Sequence, residues 1–242
     1  MSKVWCVWAG AAGLAWGASG DVVLLGAAHD NTMYQDGDNL SNGAGASFFV
    51  GKTTIETVRR GLISFDFSAI PAGSTVQSVS LTLHCTRSSS LAHPITVHMA
   101  LASWGEGDSV ALGEGGTGTA ASVGDATWRY RFYPSVEWGA PGGDLGAAVA
   151  TKQVAGEGVY TWSSAGMVGA VQGWVDMPAT NLGWVLVGNE EDIQTAKRFG
   201  SRENEDPSVR PVLVVEYTPV PGPGAVPVVC GAVVLAVRRR RG

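Results

Sequence analysis

The chain has 242 residues, of which 16 are basic and 21 are acidic, so its formal net charge is −5. Nucleic acids and anionic phospholipid surfaces attract basic faces, so this composition excludes both as partners of the body of the chain. Three cysteines are too few for a disulfide framework, and stability must therefore come from an ordinary hydrophobic core.

The first 20 residues are typical of a secretory signal peptide. Lys3 precedes an apolar stretch from Val4 to Ala18, and Ala18-Ser19-Gly20 supplies the small residues that signal peptidase requires. The sequence therefore predicts cleavage before Asp21, with signal peptidase as a processing partner.

Residues 21–218 predict a single all-β domain. Period-two alternation in Ser78–Cys85 and Ile95–Leu101 is typical of antiparallel strands that bury one face. Further strands are predicted near 22–28, 47–51, 63–67, 159–162, 184–188 and 212–217. Many short strands between glycine- and proline-rich turns favour an antiparallel jelly-roll β-sandwich.

The two alternating stretches that flank residue 91 predict a hairpin. In that hairpin His84 and His98 would face each other on the outer surface. Two histidines without a nearby acid are a weak indication of zinc, so we interpret both as surface residues. Cys85 lies in the apolar alternation and is predicted to be a small buried side chain.

The stretch from about 105 to 158 is rich in glycine, alanine, serine and threonine, yet it carries many aromatic residues. Because disordered segments are poor in aromatics, we expect an ordered excursion. Trp104, Trp128 and Trp138 could stack on sugar rings if they are exposed, or else pack in a core. The other tryptophans of the body are predicted to be buried: Trp162, Trp174 and Trp184.

One short helix is predicted near 165–176. Ser163 and Ser164 are suitable N-cap residues, and Pro178 follows the helix. Apolar residues recur at helical spacing on one face, at Met167, Val168, Val171, Trp174 and Val175. We expect this helix to close one end or edge of the sandwich.

Charged and polar residues supply the remaining candidate sites. Tyr34, Arg59 and Arg202 join the tryptophans as candidate carbohydrate contacts, since the planar guanidinium suits the carboxylate of a uronate sugar. The alternative is that the arginines pair with nearby acids at the sandwich edge. A structural calcium ion is a further possibility, with Asp36, Asp38 and Asn39 or the acidic segment 203–206 as ligands. The alternative for both acidic segments is a solvated loop.

The sequence carries no motif typical of an enzyme. A nucleophile elbow, a zinc-binding His-Glu-x-x-His pair and a phosphate-binding loop are all missing from it. Glycoside hydrolysis needs two convergent carboxylates, and most loop acids here lie beside glycine, where solvated turns are expected. We therefore predict a non-catalytic protein, with a polysaccharide-degrading enzyme as the lesser alternative.

Several segments of the body share their order with one known family. The most specific is Arg59-Arg60-Gly61-Leu62-Ile63-Ser64-Phe65-Asp66, followed by Ile70-Pro71-Ala72-Gly73-Ser74. Further matching segments are 30–34, 41–45, 79–83, 198–203 and 210–213. They resemble the DNRLRE-domain family of secreted bacterial proteins. The resemblance implies a jelly-roll sandwich that is usually non-catalytic and is related to carbohydrate-binding modules, some of them for anionic polysaccharides.

The last 24 residues, 219–242, resemble a PEP-CTERM-type sorting signal. The motif Val220-Pro221-Gly222-Pro223-Gly224 precedes an apolar run at 225–237 and four arginines, Arg238–Arg241. As a helix the run would span about 20 Å, short of the roughly 30 Å of a bilayer core. The resemblance implies transient membrane anchoring through 225–241 and processing by an exosortase-type enzyme, although Gly222 stands where the family has glutamate.

These features together predict a secreted protein of the cell envelope or extracellular matrix. Its expected role is structural or adhesive, in association with exopolysaccharide; the alternative is a carbohydrate-binding module for a polysaccharide that could be anionic. Without the two end segments, 11 basic residues face 21 acidic ones, a net charge of −10. A domain with this negative charge is expected to bind a neutral polymer, or an anionic polymer through bridging cations.

Overall fold

The computed structural model describes residues 20–37, 39–88 and 91–220. Residues 1–19 of the predicted signal peptide, Asp38 and residues 221–242 of the sorting signal lie outside the described residues. The described chain is all-β with one short α-helix, and every strand pairing in it is antiparallel. The predicted fold class is therefore confirmed.

Fourteen strands and one α-helix are present in these residues. In chain order they are β1 Asp21–Tyr34, β2 Leu40–Ser41, β3 Ser47–Lys52, β4 Val58–Phe65, β5 Thr75–Ser88, β6 His93–Ala100, β7 Thr119–Ala120, β8 Tyr130–Phe132, β9 Val136–Glu137, β10 Leu145–Val154, β11 Gly158–Trp162, α1 Ala165–Asp176, β12 Trp184–Val187, β13 Lys197–Gly200 and β14 Val212–Thr218. Short 3-10 turns at Pro178–Thr180 and Pro207–Val209 follow α1 and β13.

The strands form two faces of a sandwich. In the first sheet the first half of β1 pairs with β14, which pairs with β5; β5 also pairs with β11 and β13, and β13 pairs with β3. In the second sheet the order is β1, β4, β12, β6 and β10. β1 passes from one sheet to the other at an irregularity between Ala27 and His29, and the end of β3 likewise reaches β4.

The main core lies between the two sheets. Inward-facing residues such as Leu81 and Leu213 from the first sheet belong to the same buried cluster as Val97 and Trp184 from the second. Removing apolar surface from water is the main force that holds such layers together, at about 25 cal/mol for each Å². The predicted period-two alternation therefore marks the face of each strand that points into this core.

Helix α1 closes one end of the core, as its apolar face predicts. The side chain of Ser164 accepts a hydrogen bond from Met167 N at 3.0 Å, which confirms Ser164 as the N-cap. Such a cap contributes about 1 kcal/mol. Trp174 lies 4.9 Å from Trp184 between ring centroids, so the helix is fixed directly to the second sheet.

A second core covers the outer face of the second sheet. Leu62 and Val185 project outward from that sheet and pack with Trp128 and Trp138 of the excursion. The excursion is thus an ordered layer; the pairing of β10 with β6 gives its last part a strand that the sequence analysis does not place.

The predicted hairpin around residue 91 is wrong. β5 and β6 belong to different sheets, where His84 lies opposite Val159 and His98 lies opposite Val185. Alternation shows which face of a strand is buried, but it does not show which strand lies beside it. The two histidines therefore do not face each other.

Candidate functional site

The structure does not form the expected platform of exposed tryptophans. Trp128 and Trp138 are only 9% and 5% exposed, so of the two alternatives open from sequence, core packing holds for both and sugar stacking does not. Trp104 is half-buried, and its Nε1 donates a hydrogen bond to Leu182 O at 2.9 Å. The physical reason is the second core, which draws the rings of the excursion onto the sheet. Trp162, Trp174 and Trp184 are buried as predicted.

Tyr34 and Arg59 are also buried, at 0% and 2% exposure, and so they cannot stack on or bind a sugar directly. Instead, both hold the glycine-rich loop, which we define as residues 112–118. The Tyr34 hydroxyl donates to Gly115 O at 2.8 Å, and Arg59 Nη2 donates to Gly116 O at 3.2 Å. Burial raises the pKa of the Tyr34 hydroxyl, which keeps it a donor. These two residues therefore position a loop.

The first candidate calcium ligand is occupied by an arginine. Asp36 accepts hydrogen bonds from both terminal nitrogens of Arg59, one of them at 2.7 Å. Asn39 is exposed, and its backbone carbonyl accepts a hydrogen bond from Ala121 N at 2.8 Å. Asp38 lies outside the described residues. The arginine thus supplies beside Asp36 the positive charge that the prediction assigned to calcium.

A row of side chains on the outer face of the first sheet forms the floor of a groove. Phe49 on β3 and Arg87 on β5 lie directly opposite Arg198 on β13. Phe48 and Phe199, which are adjacent in sequence to members of this row, are buried in the main core. Strand alternation therefore turns two arginines outward together. Like charges opposite each other repel, so this pair favours an anion between its members.

The glycine-rich loop crosses above this floor. Gly113, Gly115 and Gly118 adopt positive φ angles of 62°, 79° and 66°, a region that glycine enters without strain. A Cβ on Gly115 would lie 3.4 Å from the ring of Phe49, so the loop backbone packs on that ring. The Phe49 side chain is largely covered in this way, at 8% exposure, and its remaining surface lines a cavity beside the loop.

Glu114 lies between the two arginines. Its carboxylate forms an ion pair with Arg198 Nη1 and lies 4.0 Å from Arg87 Nη1. Thr86 fixes the other side of the Arg198 guanidinium, because its Oγ1 accepts a hydrogen bond from Nε at 2.9 Å. Burial, and then the charge of Arg87, lowers the pKa of Arg198. Among the described residues, the arginine pair thus has Glu114 as its carboxylate partner, and Glu114 comes from a loop.

A cavity opens on each side of the Glu114–Arg198 ion pair. One has a volume of about 350 Å³, and Asn42, Ser47, Asn204 and Asp206 are among its lining residues. The other has a volume of about 370 Å³, and Thr53, Arg87 and Gln194 are among its lining residues. Glu114 and Arg198 line both, so their contact is the partition between them. Each volume is within the range of small-ligand pockets.

A second charged cluster holds the excursion to β1 and to the segment after β13. Glu106 accepts hydrogen bonds from Arg202 at 2.6 and 2.5 Å, and from Asp30 N at 2.8 Å. The backbone N–H of Arg202 donates to Asp30 Oδ2 at 2.7 Å, and its Nε lies 2.7 Å from Glu203 Oε1. Arg202, a predicted sugar contact, is therefore engaged by three acids. Its pairing with Glu203 was one of the pairings open from sequence.

The three carboxylates of this cluster have different protonation tendencies. Burial raises the pKa of Asp30 well above its ordinary value, and burial together with the charge of Glu106 raises that of Glu203. Burial opposes ionisation of Glu106 as well, but hydrogen bonds from His29 and Arg202 outweigh it and lower its pKa. The hydrogen bond to Glu106 raises the pKa of His29.

The same three acids have the spacing of a cation site. One oxygen from each of Asp30, Glu106 and Glu203 lies within 4.8 Å of the others. Arg202 already supplies a positive charge to all three, and Asp30 and Glu106 are buried. The arrangement therefore serves first as a cross-link between three distant segments. Sequence reasoning named Glu106 only as a loop acid and Glu203 as a possible calcium ligand or arginine partner. It did not join either residue to Asp30, because no local pattern links residues this far apart.

Comparisons with known proteins found no match, either among models of protein families or among curated proteins. Within the described part of the chain, no helix has both the length and the apolar character needed to cross a membrane.

Proposed function

We propose that this chain is a non-catalytic adhesive module that acts at the cell surface or in the extracellular matrix and binds polysaccharide. The observation that carries the proposal is the groove on the first sheet, where two outward arginines lie side by side: Arg198 lines both cavities, of about 350 and 370 Å³, and Arg87 lines the second of them. A sugar polymer presents hydroxyl and carboxylate oxygens, and arginine and asparagine side chains are suitable partners for them.

The position of the groove supports a polymer as the ligand. It lies on the outer face of a rigid sheet and is open at the surface, so a chain could continue beyond the bound residues on either side. Sites on strands are held more precisely than sites on loops. Two residues of the groove, Arg87 of its floor and Glu114 of the loop above it, have side chains that are 67% and 64% exposed and are accessible from solvent.

The acidic cluster formed by Asp30, Glu106 and Glu203 is shielded from solvent and paired with Arg202, which supports a role without catalysis. Its three carboxylates converge within 4.8 Å of one another, only slightly closer than the roughly 5–5.5 Å between the two carboxyl groups of a retaining glycosidase. A general acid or nucleophile must reach the substrate, however, and Asp30 and Glu106 are 1% and 9% exposed. Arg202 also engages Glu106 through two hydrogen bonds. Acids held in this way are suited to cross-linking segments.

The place of action is proposed from the two ends of the sequence. The signal-peptide pattern at 1–20, and the proline motif, apolar run and arginines at 219–242, favour export followed by sorting to the envelope. Deleting residues 219–242 and fractionating the producing cells tests this. We expect the truncated protein in the medium; retention in the envelope at the wild-type level would contradict the sorting proposal.

Binding is tested with the purified full chain on a panel of neutral and uronic polysaccharides. We expect Arg198→Gln to weaken binding at least about tenfold, the cost of losing a charge-assisted hydrogen bond. Arg131→Gln is the matched control, because Arg131 hydrogen-bonds Ser103 and does not line either cavity. If no polysaccharide binds, or if Arg198→Gln binds as the wild type does, the proposed function of the groove is wrong.

A further inference from the structure

The ion pair between Glu114 and Arg198 places a carboxylate of the protein where a carboxylate of a bound ligand could lie. A carboxylate that pairs with an arginine fork is also what a uronate sugar would present. Glu114 is 64% exposed, whereas the Arg198 side chain is only 20% exposed. The arginine is thus a fixed part of the sheet, and the carboxylate reaches it from solvent.

We infer that Glu114 is a built-in competitor, whose carboxylate occupies the position between Arg198 and Arg87 at which a uronate carboxylate of the polysaccharide binds. The inference rests on the proposed function and names the class of sugar recognised. Binding exchanges one carboxylate for another, and no covalent bond changes.

The loop can release Glu114 while the rest of it stays in place. Its anchors are at Gly115 and Gly116, which accept hydrogen bonds from Tyr34 and Arg59. Before these anchors, Leu112 is 92% exposed, and a Cβ on Gly113 would have no neighbour within 4 Å. The Glu114 side chain is 64% exposed, so it can turn into solvent by rotation about its own bonds, while the Gly115 N–H keeps its hydrogen bond to Leu112 O at 3.3 Å and the backbone of the turn stays in place.

Displacement also changes the shape of the groove. The ion pair is the partition between the two cavities, since Glu114 and Arg198 line both of them. When the carboxylate leaves, the cavities join into one groove that passes over Arg198. A polymer could then place one acidic residue on the arginines and its neighbours on either side.

The free energies of the two contacts favour replacement of the Glu114 carboxylate by a uronate carboxylate. An exposed ion pair contributes little to stability because water competes with both partners. A polymer that also contacts the cavity walls on both sides gains interactions that Glu114 alone does not make. Polyuronate binding should therefore weaken as salt is added, because its main contact is between charges.

The test compares binding of full-length wild type, Glu114→Gln and Glu137→Gln to polygalacturonate, alginate and the neutral polymer dextran. Glu137→Gln is the matched control: Glu137 is an exposed glutamate paired with Arg129 at 2.9 Å, and it does not line either cavity. We expect Glu114→Gln to bind at least one of the two uronates about two- to five-fold more tightly, the range of an exposed ion pair. Glu137→Gln should not change that affinity, and Glu114→Gln should leave dextran binding unchanged.

The other possible binding results separate failure of this inference from failure of the proposed function. Equal uronate affinity for wild type and Glu114→Gln overturns the inference, and so does an equal gain for both variants, which would reflect net charge alone. If dextran alone binds, and Arg87→Gln weakens it, the proposed function stands while this inference fails. If no polymer binds any of the chains, both fail. Because Arg87 is 67% exposed, Arg87→Gln leaves the packing of the sheet intact.

Discussion

Two arginine–carboxylate contacts in this molecule use the same chemical groups for different purposes. At the acidic cluster, Glu106 has a side chain that is only 8% exposed and accepts two hydrogen bonds from Arg202. At the groove, Glu114 is 64% exposed and meets Arg198 from a loop with open space before it. Burial therefore makes the first contact a cross-link and leaves the second one open to exchange.

The surroundings of the two carboxylates reinforce this difference. Glu106 is also bound by the backbone of Asp30 and by His29, so its removal would leave several donors without a partner. Glu114 has two arginine neighbours that solvent can reach. The same substitution, glutamate to glutamine, therefore separates a structural role from a binding role.

The largest effect is expected for Glu106→Gln. Losing this charge removes the bidentate partner of Arg202 at a buried carboxylate, although Arg202 itself is 40% exposed, and we expect this to cost about 2 kcal/mol in the free energy of unfolding. Urea denaturation at pH 7 measures it. A cost below about 0.5 kcal/mol would contradict the role of Glu106 as a cross-link and would remove the contrast with Glu114.

A pH-dependent effect is expected for Asp30→Asn. The pKa of Asp30 is raised by burial, so its ionisation destabilises the fold as the pH rises above the ordinary value of 3.8. Each pH unit over which only the unfolded state is ionised costs the wild type about 1.4 kcal/mol. The asparagine variant avoids that cost, and its side-chain oxygen can still accept from Arg202 N.

Urea denaturation at pH 4 and pH 7 tests this expectation. The stability of Asp30→Asn relative to wild type should increase between the two values. The ionisation of Glu106 has the opposite effect on stability, because the fold lowers the pKa of this carboxyl. Its stabilising contribution is fully present above the ordinary pKa of 4.5 and is lost as the pH falls through the pKa of the folded state. A relative stability of Asp30→Asn that falls with rising pH would mean that Asp30 acts as a paired ion like Glu106.

The strands and the helix could be predicted from sequence because their signals are local. Val79, Leu81 and Leu83 alternate along β5, and all three lie in the main core. Ser164 and the apolar face that includes Trp174 likewise define α1 from neighbouring residues alone. The period of the apolar residues distinguishes a strand from a helix and indicates which side of that element is buried in the core.

The second core could have been found from a signal that the sequence does carry. β4 contains Leu62-Ile63 and β12 contains Val185-Leu186, continuous apolar pairs in which one member faces each core. Such runs are typical of strands that are buried on both faces. They imply a covering layer on the outer side of the second sheet, and that layer is what buries Trp128 and Trp138.

The groove could not be predicted, because it depends on register and on a loop. Arg87 and Arg198 become neighbours only through the pairing of β5 with β13, and Glu114 reaches them only because the loop crosses the sheet. The prediction of Tyr34 and Arg59 as carbohydrate contacts is wrong for the same reason: both are buried, and their partners are carbonyl groups of the loop.

A moderate effect is expected for Tyr34→Phe, which tests the fixed end of the glycine-rich loop. Removing the hydroxyl leaves Gly115 O without its 2.8 Å donor at a buried position, at a cost of about 1 kcal/mol in the free energy of unfolding. The ring still packs against the loop, so the fold should persist. Thermal unfolding measures the loss, and stability equal to wild type would show that the loop is held by other contacts.

The smallest effect is expected for Glu114→Gln, the same substitution as at Glu106. Because the Glu114 carboxylate is 64% exposed and water competes for it, its loss should change the free energy of unfolding by less than about 0.5 kcal/mol. Urea denaturation beside Glu106→Gln, under one set of conditions, makes the comparison direct. A cost for Glu114→Gln that approached that of Glu106→Gln would make Glu114 a structural clamp. A carboxylate clamped in that way could not exchange with one from a polysaccharide, whereas a small cost together with tighter polyuronate binding is what a displaceable competitor requires.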